Sequence, residues 1–136
     1  MNLEQVKLIE IPSYEDTRGV LTSIEQNQDI PIDIKRIFYM HHILEDRGGH
    51  AHIDTDQFII SIFGSFNIKV SDESSSLVFS LNNPKQGLYV PRLVFIEMYD
   101  FSQNAVCLVL ANTKYDINKS LRTKNDFLSF IKKHDQ

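Results

Sequence analysis

The chain has 136 residues, with 14 lysines and arginines against 18 aspartates and glutamates, a formal net charge of −4. This length predicts one domain, residues 1–136, that buries a core without disulfides or a structural metal. The basic residues are scattered, so we expect no nucleic-acid partner. No apolar run approaches membrane-spanning length and no signal-like segment opens the chain, so we expect a cytoplasmic protein that does not enter a membrane.

Short runs rich in β-branched and aromatic residues follow one another along the chain, and turn-like segments separate them. The strand-like runs are 6–11, 20–25, 36–41, 58–63, 66–70, 77–81 and 105–111. The turn-like segments are 14–19, 71–76 and 81–87. This regular spacing predicts an all-β sandwich or barrel.

Three local features add to this architecture. Gly64-Ser65 separates two strand-like runs and predicts a tight hairpin. Residues 124–133 predict a short C-terminal helix, because their apolar residues recur at helical spacing and lysines close the segment. Cys107 lies in the apolar run 105–110 and is interpreted as a small buried hydrophobe in a reducing compartment.

The segment Arg47-Gly48-Gly49-His50-Ala51-His52 is the most informative part of the sequence. Its two histidines, called the histidine pair below, stand at i and i+2, so in an extended segment they project from one face of a sheet. Paired imidazoles indicate a metal site or proton-transfer chemistry. The alternative is that both are structural histidines with satisfied hydrogen bonds.

The metal interpretation depends on further ligands. Cupin jelly rolls follow a His-x-His pair with a Glu and a Gly, and a later segment adds another His. Here Gly64 keeps its spacing, but Gln57 occupies the Glu position and Ile96 the later His position. A catalytic metal needs about three protein ligands, so we expect none here. His41-His42 leaves open an alternative third ligand from a neighbouring strand.

Without a metal, the histidine pair fits an acid/base site, because imidazole titrates near neutral pH. Arg47 precedes two glycines that let backbone approach a ligand, and its guanidinium suits bidentate phosphate recognition. Tyr39 lies on the strand-like run 36–41 and is a candidate to present its phenol to the pocket. The alternative for Tyr39 is a core tyrosine with a satisfied hydroxyl.

Several short segments, each weak alone, gain meaning from their order and spacing across nearly the whole chain. They are Asp16-Thr17-Arg18-Gly19, 33–39, 47–52 with Gln57, 87–91, 97–102, 109–112 with Tyr115-Asp116, and Asn125-Asp126-Phe127. This pattern resembles the sugar 3,4-ketoisomerases, cupin enzymes that act on dTDP-4-keto-6-deoxyglucose. The resemblance implies an all-β cupin jelly roll, a double-stranded β-helix, with a short C-terminal α-helix.

The resemblance also implies a reaction. The ketone at C4 of the sugar moves to C3 through an enediol-type intermediate, without a metal or redox cofactor. His50 would be the base, His52 its partner in proton movement, and Tyr39 a hydroxyl donor near the sugar oxygens. The substrate-binding side chains would be Arg47, with Arg18 and Arg92 as weaker candidates, together with Gln57 and Glu97.

The implied partners follow from the same resemblance. A PLP-dependent aminotransferase would convert the product to a 3-amino-3,6-dideoxy sugar for surface glycans such as the lipopolysaccharide O-antigen. The family pairs its protomers through sheet edges. We therefore expect a homodimer, in which an edge strand such as 6–11 finds a partner.

The chain departs from the family pattern at three places. Phe95 stands where a Trp is usual, Ile96 where a polar residue such as His is common, and 53–56 is more acidic than expected. Two alternatives therefore stay open: a dTDP-sugar 3,5-epimerase-like enzyme, and a non-catalytic cupin that binds a nucleotide sugar. The sequence also leaves open whether the product has the galacto or the gluco configuration at C4.

Overall fold

The computed structural model describes residues 2–134. Within this range the chain forms twelve β-strands, two 3₁₀ turns (Asn2–Gln5 and Ile117–Lys119) and one α-helix, α1, over Lys124–His134. The strands are β1 (Lys7–Glu10), β2 (Ser13–Asp16), β3 (Gly19–Thr22), β4 (Arg36–Met40), β5 (Arg47–His52), β6 (Gln57–Phe63), β7 (Phe66–Ser71), β8 (Ser76–Leu81), β9 (Gln86–Val90), β10 (Phe95–Tyr99), β11 (Val106–Ala111) and β12 (Ser120–Leu121).

Ten of these strands, counted over residues 2–134, form two five-stranded antiparallel sheets. The first sheet has the order β1-β9-β6-β11-β4, and the second has the order β12-β5-β10-β7-β8. β2 and β3 form a separate hairpin that turns at Thr17-Arg18. Most neighbours in each sheet are distant in sequence, as in a jelly roll. The all-β prediction is confirmed.

The two sheets face each other across a common apolar core. The first sheet contributes Ile59 and Val109, and the second contributes Ile68 and Ile96, all almost fully buried. Successive residues of a strand point to opposite faces, so Phe58 lies on the outer face of the first sheet. There it joins a second cluster, over which the isoleucines of residues 24–34 pack. The first sheet is therefore covered on both faces.

The C-terminal helix covers the outer face of the second sheet. The Thr123 hydroxyl accepts a hydrogen bond from the backbone N–H of Asp126 at 3.0 Å and caps the first turn. Phe127 is fully buried against Ala51 and Phe95, so the helix rests directly on β5 and β10. The predicted helix 124–133 is confirmed. No helix within residues 2–134 is long and apolar enough to cross a membrane.

The strand predictions succeed where apolar residues form an uninterrupted or alternating run. All seven predicted runs contain strands, although the predicted run 20–25 is shortened to Gly19–Thr22. Strands β2, β9, β10 and β12 were not predicted. β2 overlaps the predicted turn 14–19, because the polar Glu15 and Asp16 of this solvent-exposed hairpin resemble turn residues in the sequence. Such a hairpin carries no buried face, and hence no apolar alternation.

The prediction of a tight hairpin at Gly64-Ser65 is wrong. β6 belongs to the first sheet and β7 to the second, so the chain turns a corner between sheets at this point. Gly64 has φ +74°, and a Cβ on it would lie 2.3 Å from the Ser102 hydroxyl oxygen. The sequence shows that the chain reverses here, but the choice of partner strand depends on tertiary packing. The corner lets both strands contribute to the core between the sheets.

Candidate active site

An irregularity in β5 sets the orientation of the site. Along β10, Ile96 pairs with His50, Glu97 with Gly48 and Met98 with Arg47, so Gly49 is an extra residue. Gly48 and Gly49 have φ values of +88° and +72°, a conformation that strongly favours glycine. A Cβ on Gly48 would lie 2.8 Å from the carbonyl oxygen of Ile96. This β-bulge is therefore specified by the glycines.

The bulge places Arg47 and His50 on one face of the sheet. Residues three apart in a regular strand point to opposite faces. In β5 the extra residue Gly49 lies between Arg47 and His50 and changes this alternation. Residues paired across neighbouring strands share a face, so the β10 partners show which face each one is on. The partners Ile96 and Met98 are both buried in the core between the sheets. Arg47 and His50 therefore both lie on the interior side of β5.

The histidine pair projects into the space between the two sheets. Ala51, between the two histidines, is buried under the helix on the opposite face of the strand. The rings of His50 and His52 have centroids 4.9 Å apart and meet edge to face at 78°. His50 has no side-chain hydrogen-bond partner within residues 2–134, although its ring interacts with the backbone of Gly48. The predicted same-face arrangement of the pair is present.

His52 is held by two side chains from different elements. Its Nε2 lies 3.3 Å from the amide nitrogen of Gln57 on β6, and its Nδ1 lies 3.4 Å from the hydroxyl of Ser120 on β12. With the ring proton on Nδ1, Nε2 accepts a hydrogen bond from this amide. The contact joins the two sheets directly. Gln57, which replaces the expected metal-binding Glu, thereby orients an imidazole.

Burial keeps both histidines neutral. Loss of hydration, together with the nearby His50 and Arg36, lowers the pKa of His52 from 6.5 to about 4, although Asp54 acts in the opposite direction. Burial also lowers the pKa of His50, and Arg122 and Arg47 act in the same direction, while the hydrogen bond that its ring donates to the Gly48 backbone raises it. A neutral imidazole has a free lone pair at neutral pH. Such a group can accept a proton from carbon.

Three arginines surround the pair without an acidic partner. Arg36, Ala111 and Gln57 form one row across the first sheet, so the Arg36 side chain lies on the face that bears the Gln57 contact to His52. Its guanidinium packs 4.3 Å from the ring centroid of Phe38 and 4.7 Å from that of Tyr115. Within residues 2–134, Arg36, Arg47 and Arg122 form no salt bridge.

Sequence reasoning missed Arg36, Arg122 and Ser120. The sequence did contain a signal for Arg36. Alternate residues of a strand share a face, so if Tyr39 points outward, then Arg36, Phe38 and Met40 all point inward. Ser120 pairs with His52 across a two-residue strand, and Arg122 follows that strand. So short a strand leaves no periodic signal in the sequence. Only the folded chain brings these residues to β5.

Two predicted anion-binding arginines are already paired. Arg18 lies 2.6 Å from Asp16 in the exposed β2-β3 hairpin, and Arg92 lies 3.1 Å from Asp56. The Asp56 carboxylate also accepts a hydrogen bond from the Asn112 amide at 3.0 Å. The arrangement around Arg92 therefore ties together the segments that follow β5, β9 and β11. The structure does not bring either arginine to the histidine pair.

Tyr39 and Glu97 also face away from the pair. Tyr39 is 63% exposed, whereas its neighbours Phe38 and Met40 pack against the core between the sheets. Glu97 alternates with the buried Ile96 and Met98, so it points outward. It lines a cleft of about 420 Å³ beside Arg47 and the two glycines. Of the predicted site residues, the structure groups His50, His52, Gln57 and Arg47.

No group of three or more His, Cys, Asp or Glu side chains within residues 2–134 has the arrangement of a metal site. His41 and His42 approach each other at 2.6 Å between their Nδ1 atoms, but both are exposed. They line an outer cleft of about 490 Å³ with Tyr39. They do not supply the third ligand that the sequence left open, because the pair faces the space between the sheets.

The fold and site define a jelly-roll protein with two interior histidines on one strand. A family model described as "FdtA: WxcM-like, C-terminal" matches residues 4–132. The chain belongs to this family.

Comparisons with individual proteins agree. The TDP-4-oxo-6-deoxy-alpha-D-glucose-3,4-oxoisomerase of Aneurinibacillus thermoaerophilus is 36% identical over 93% of each chain. The crystal structure of QdtA, a sugar 3,4-ketoisomerase from Thermoanaerobacterium thermosaccharolyticum in complex with TDP, is 36% identical, with a TM-score of 0.92 over 98% of this chain and 99% of that chain. A 3,4-ketoisomerase from Helicobacter canadensis is 33% identical, with a TM-score of 0.90 over 93% of this chain and 97% of that chain.

The lowered pKa of His52 predicts an acid-sensitive contribution to stability. Between pH 6.5 and about 4 the unfolded chain binds a proton at His52 that the folded chain does not. The free energy of unfolding therefore falls as the pH is lowered through this window, by at most about 3 kcal/mol from this group. Urea unfolding at pH 7 and pH 4.5 measures the loss.

A His52→Asn variant removes this contribution, so its loss between the two pH values is smaller than that of the wild type. His134→Asn, which changes an exposed histidine of α1, serves as the matched control and keeps the wild-type loss. Equal losses in the wild type and His52→Asn would contradict a neutral, buried His52.

Proposed function

We propose that this protein moves the ketone of dTDP-4-keto-6-deoxyglucose from C4 to C3. The observation that carries the proposal is the histidine pair, held neutral and facing the space between the sheets on a strand fixed by its bulge. The relatives named above are 3,4-ketoisomerases or the corresponding oxoisomerase. The reaction requires acid/base groups only, which the pair can supply.

His50 is the proposed base. Its imidazole takes the proton from C3, and the electrons of the C3–H bond form a C3=C4 double bond while the C4 carbonyl π electrons move to the C4 oxygen. A proton is then returned to C4. The C3 hydroxyl loses its proton as the C3 carbonyl forms, and the C4 oxygen becomes a hydroxyl. Every atom is conserved, as isomerisation requires.

His52 is the proposed carrier of the hydroxyl proton from the C3 oxygen to the C4 oxygen. Its contacts to Gln57 and Ser120, at 3.3 and 3.4 Å, are long hydrogen bonds that a substrate hydroxyl can displace. Tyr39, which faces outward, has no part in this proposal.

The proposed ligands for the diphosphate are Arg36, Arg47 and Arg122. They border the histidine pair and have no competing carboxylate within residues 2–134, unlike Arg18 and Arg92. Phosphate recognition by a guanidinium is strong because it combines charge with paired hydrogen bonds. The stacking of Arg36 between Phe38 and Tyr115 lowers the entropy lost when it binds.

The product is a 3-keto sugar, which a PLP-dependent aminotransferase converts to a 3-amino sugar. That pathway partner, the use of the sugar in surface glycans and the cytoplasmic location stay predictions. For the 3,5-epimerase alternative, the same base would leave the ketone at C4 and invert C3 and C5. The named relatives favour ketone transfer over this outcome.

Replacement of His50 by Gln is expected to lower kcat at least 100-fold, since a positioned general base contributes roughly 10²–10⁴-fold. TDP binding, measured by calorimetry, is expected to stay within a few-fold of wild type, because Gln preserves the volume of the side chain. His134→Gln is the matched control and is expected to retain turnover. Full activity in His50→Gln, followed by NMR of the product, would exclude His50 as the base.

Replacement of Arg36 by Met tests the diphosphate site. We expect a 10-fold or greater loss of TDP affinity, because a hydrogen bond to a charged group contributes about 1.5–3 kcal/mol. Thymidine affinity is expected to stay unchanged, since the nucleoside has no phosphate. Arg18→Met, which removes a guanidinium already paired with Asp16, is the control and is expected to bind TDP normally. An equal loss for TDP and thymidine would contradict a phosphate contact.

A homodimer is the proposed assembly. β1 is an edge strand of the first sheet, and the β2-β3 hairpin exposes Tyr14, Val20 and Leu21. A two-stranded hairpin is marginally stable by itself. A second copy that covers this apolar surface would stabilise the hairpin and the adjacent edge together.

Leu21→Glu is expected to shift the protein from dimer to monomer in sedimentation velocity, because it places a charge in the proposed interface. Leu77→Glu is the matched control, since Leu77 is similarly exposed but lies on β8, at the far edge of the second sheet. A monomeric wild type, or a dimer unaffected by Leu21→Glu, would overturn this assignment.

A further inference from the structure

The proton-carrying side chains of the site are all on one wall. In the first sheet, which faces the histidine pair, registered rows of residues line the space between the sheets. The row level with His52 is Arg36, Ala111, Gln57 and Val90, the next is Phe38, Val109, Ile59 and Leu88, and the next is Met40, Cys107 and Ser61. No imidazole, carboxyl or phenol occurs in these rows.

The polar members of the facing rows are poor proton donors. The Gln57 amide does not ionise, the Arg36 guanidinium is stacked against the rings of Phe38 and Tyr115, and the Ser61 hydroxyl donates to the Gly64 carbonyl. Burial raises the pKa of the Cys107 thiol to about 12, and this side chain is fully buried. The facing wall can therefore bind and orient a sugar, but it has no group suited to protonate carbon.

Directly across from His50 on β10, the wall that carries this histidine offers no proton donor within residues 2–134. Ile96 is the cross-strand neighbour of His50 on β10 and is 2% exposed, so an aliphatic side chain fills this position. His52 stands two residues along the same strand and on the same face. Both imidazoles therefore lie on the same side of any sugar ring between the sheets.

The placement of both histidines on one side of the ring determines the configuration of the product at C4. In the gluco configuration, the hydrogens on C3 and C4 lie on opposite faces of the pyranose ring. A base that takes the C3 hydrogen from one face, and returns a proton to C4 from that same face, leaves the C4 hydroxyl on the opposite face. That hydroxyl is axial, which is the galacto configuration. A gluco product requires a second donor on the other face of the ring.

We infer that this chain is a same-face isomerase, which forms the 3-keto-6-deoxygalactose derivative because the histidine pair makes both carbon proton transfers. The inference rests on the proposed function and adds the stereochemical outcome. One proton leaves C3 for His50, and a histidine of the pair delivers one proton to C4. The C3 hydroxyl proton passes to the C4 oxygen, so no external reactant is needed. Ile96 contributes to the configuration at C4, because its aliphatic side chain offers no proton donor at that position.

The decisive experiment is the configuration of the first product. Purified protein is incubated briefly with dTDP-4-keto-6-deoxyglucose, and the ketones are trapped with borodeuteride. Deuterium then marks the carbon that carried the ketone, C3 in the product and C4 in unreacted substrate. We expect C3-labelled sugars of the galacto and gulo configurations, with a small H4–H5 coupling. C3-labelled gluco and allo sugars, with a large coupling, would overturn the inference while leaving the proposed function intact.

A substrate with deuterium at C3, trapped with unlabelled borohydride, tests the single base. A histidine that carries the C3 deuteron to C4 returns part of the label there, and detection of deuterium at C4 of the isomerised sugar supports the inference. Recovery of sugar with all of its deuterium still at C3 would show that no isomerisation occurred, and would overturn both the inference and the proposed function.

Two variants test two further ionisable side chains that lie near the site. Asp54 influences the pKa of His52, and Tyr115 packs against Arg36. Asp54→Asn and Tyr115→Phe remove the ionisable group while keeping the shape of the side chain. We expect both to form the galacto product, whatever their rate. A change of configuration in either variant would identify that residue as the C4 donor and overturn the inference.

Discussion

The β-bulge at Gly48-Gly49 is the constraint on which the site depends. Without the extra residue, Arg47 and His50 would point to opposite faces of β5, and the strand would bring only one of them to the space between the sheets. The bulge requires glycine at both positions, because their φ values are positive and the Ile96 carbonyl leaves no room for a Cβ on Gly48. Ala51 then anchors the strand under α1, and the neighbouring histidines face the interior. Local backbone geometry thus fixes the chemistry.

Electrostatics and burial act together at this site. Desolvation favours neutral imidazoles, and Arg36, Arg47 and Arg122 strengthen that preference because a protonated histidine would lie beside other cations. The same unpaired cations are suited to a diphosphate. Before ligand binding the site carries positive charge that no carboxylate within residues 2–134 neutralises by a salt bridge. An anionic ligand would supply the missing charge. Base activation and ligand recognition therefore depend on the same residues.

Candidate residues were predictable where chemistry and local periodicity coincide. The i and i+2 spacing of His50 and His52 required a common face, and the structure has one. Gln57 was singled out as a missing metal ligand, and it contacts His52. Arg18 and Arg92 were chosen for their charge alone, but each is paired with a carboxylate that the sequence did not connect to it. Tyr39 was chosen for its hydroxyl, and its strand turns that hydroxyl outward. The type of a residue indicates which chemistry its side chain can perform, whereas its partners in the folded chain decide whether that side chain is free to perform it.

The sequence by itself determined the all-β class, the C-terminal helix, the shared face of the histidine pair and the family resemblance, since each depends on short-range periodicity or ordered motifs. Only the tertiary structure decided that β6 and β7 enter different sheets, that Arg36 and Arg122 border the pair, and that the facing wall lacks a proton donor. These features depend on strand pairings between residues far apart in the chain. Side chains that meet across two sheets share no local pattern, so their proximity is a property of the folded molecule.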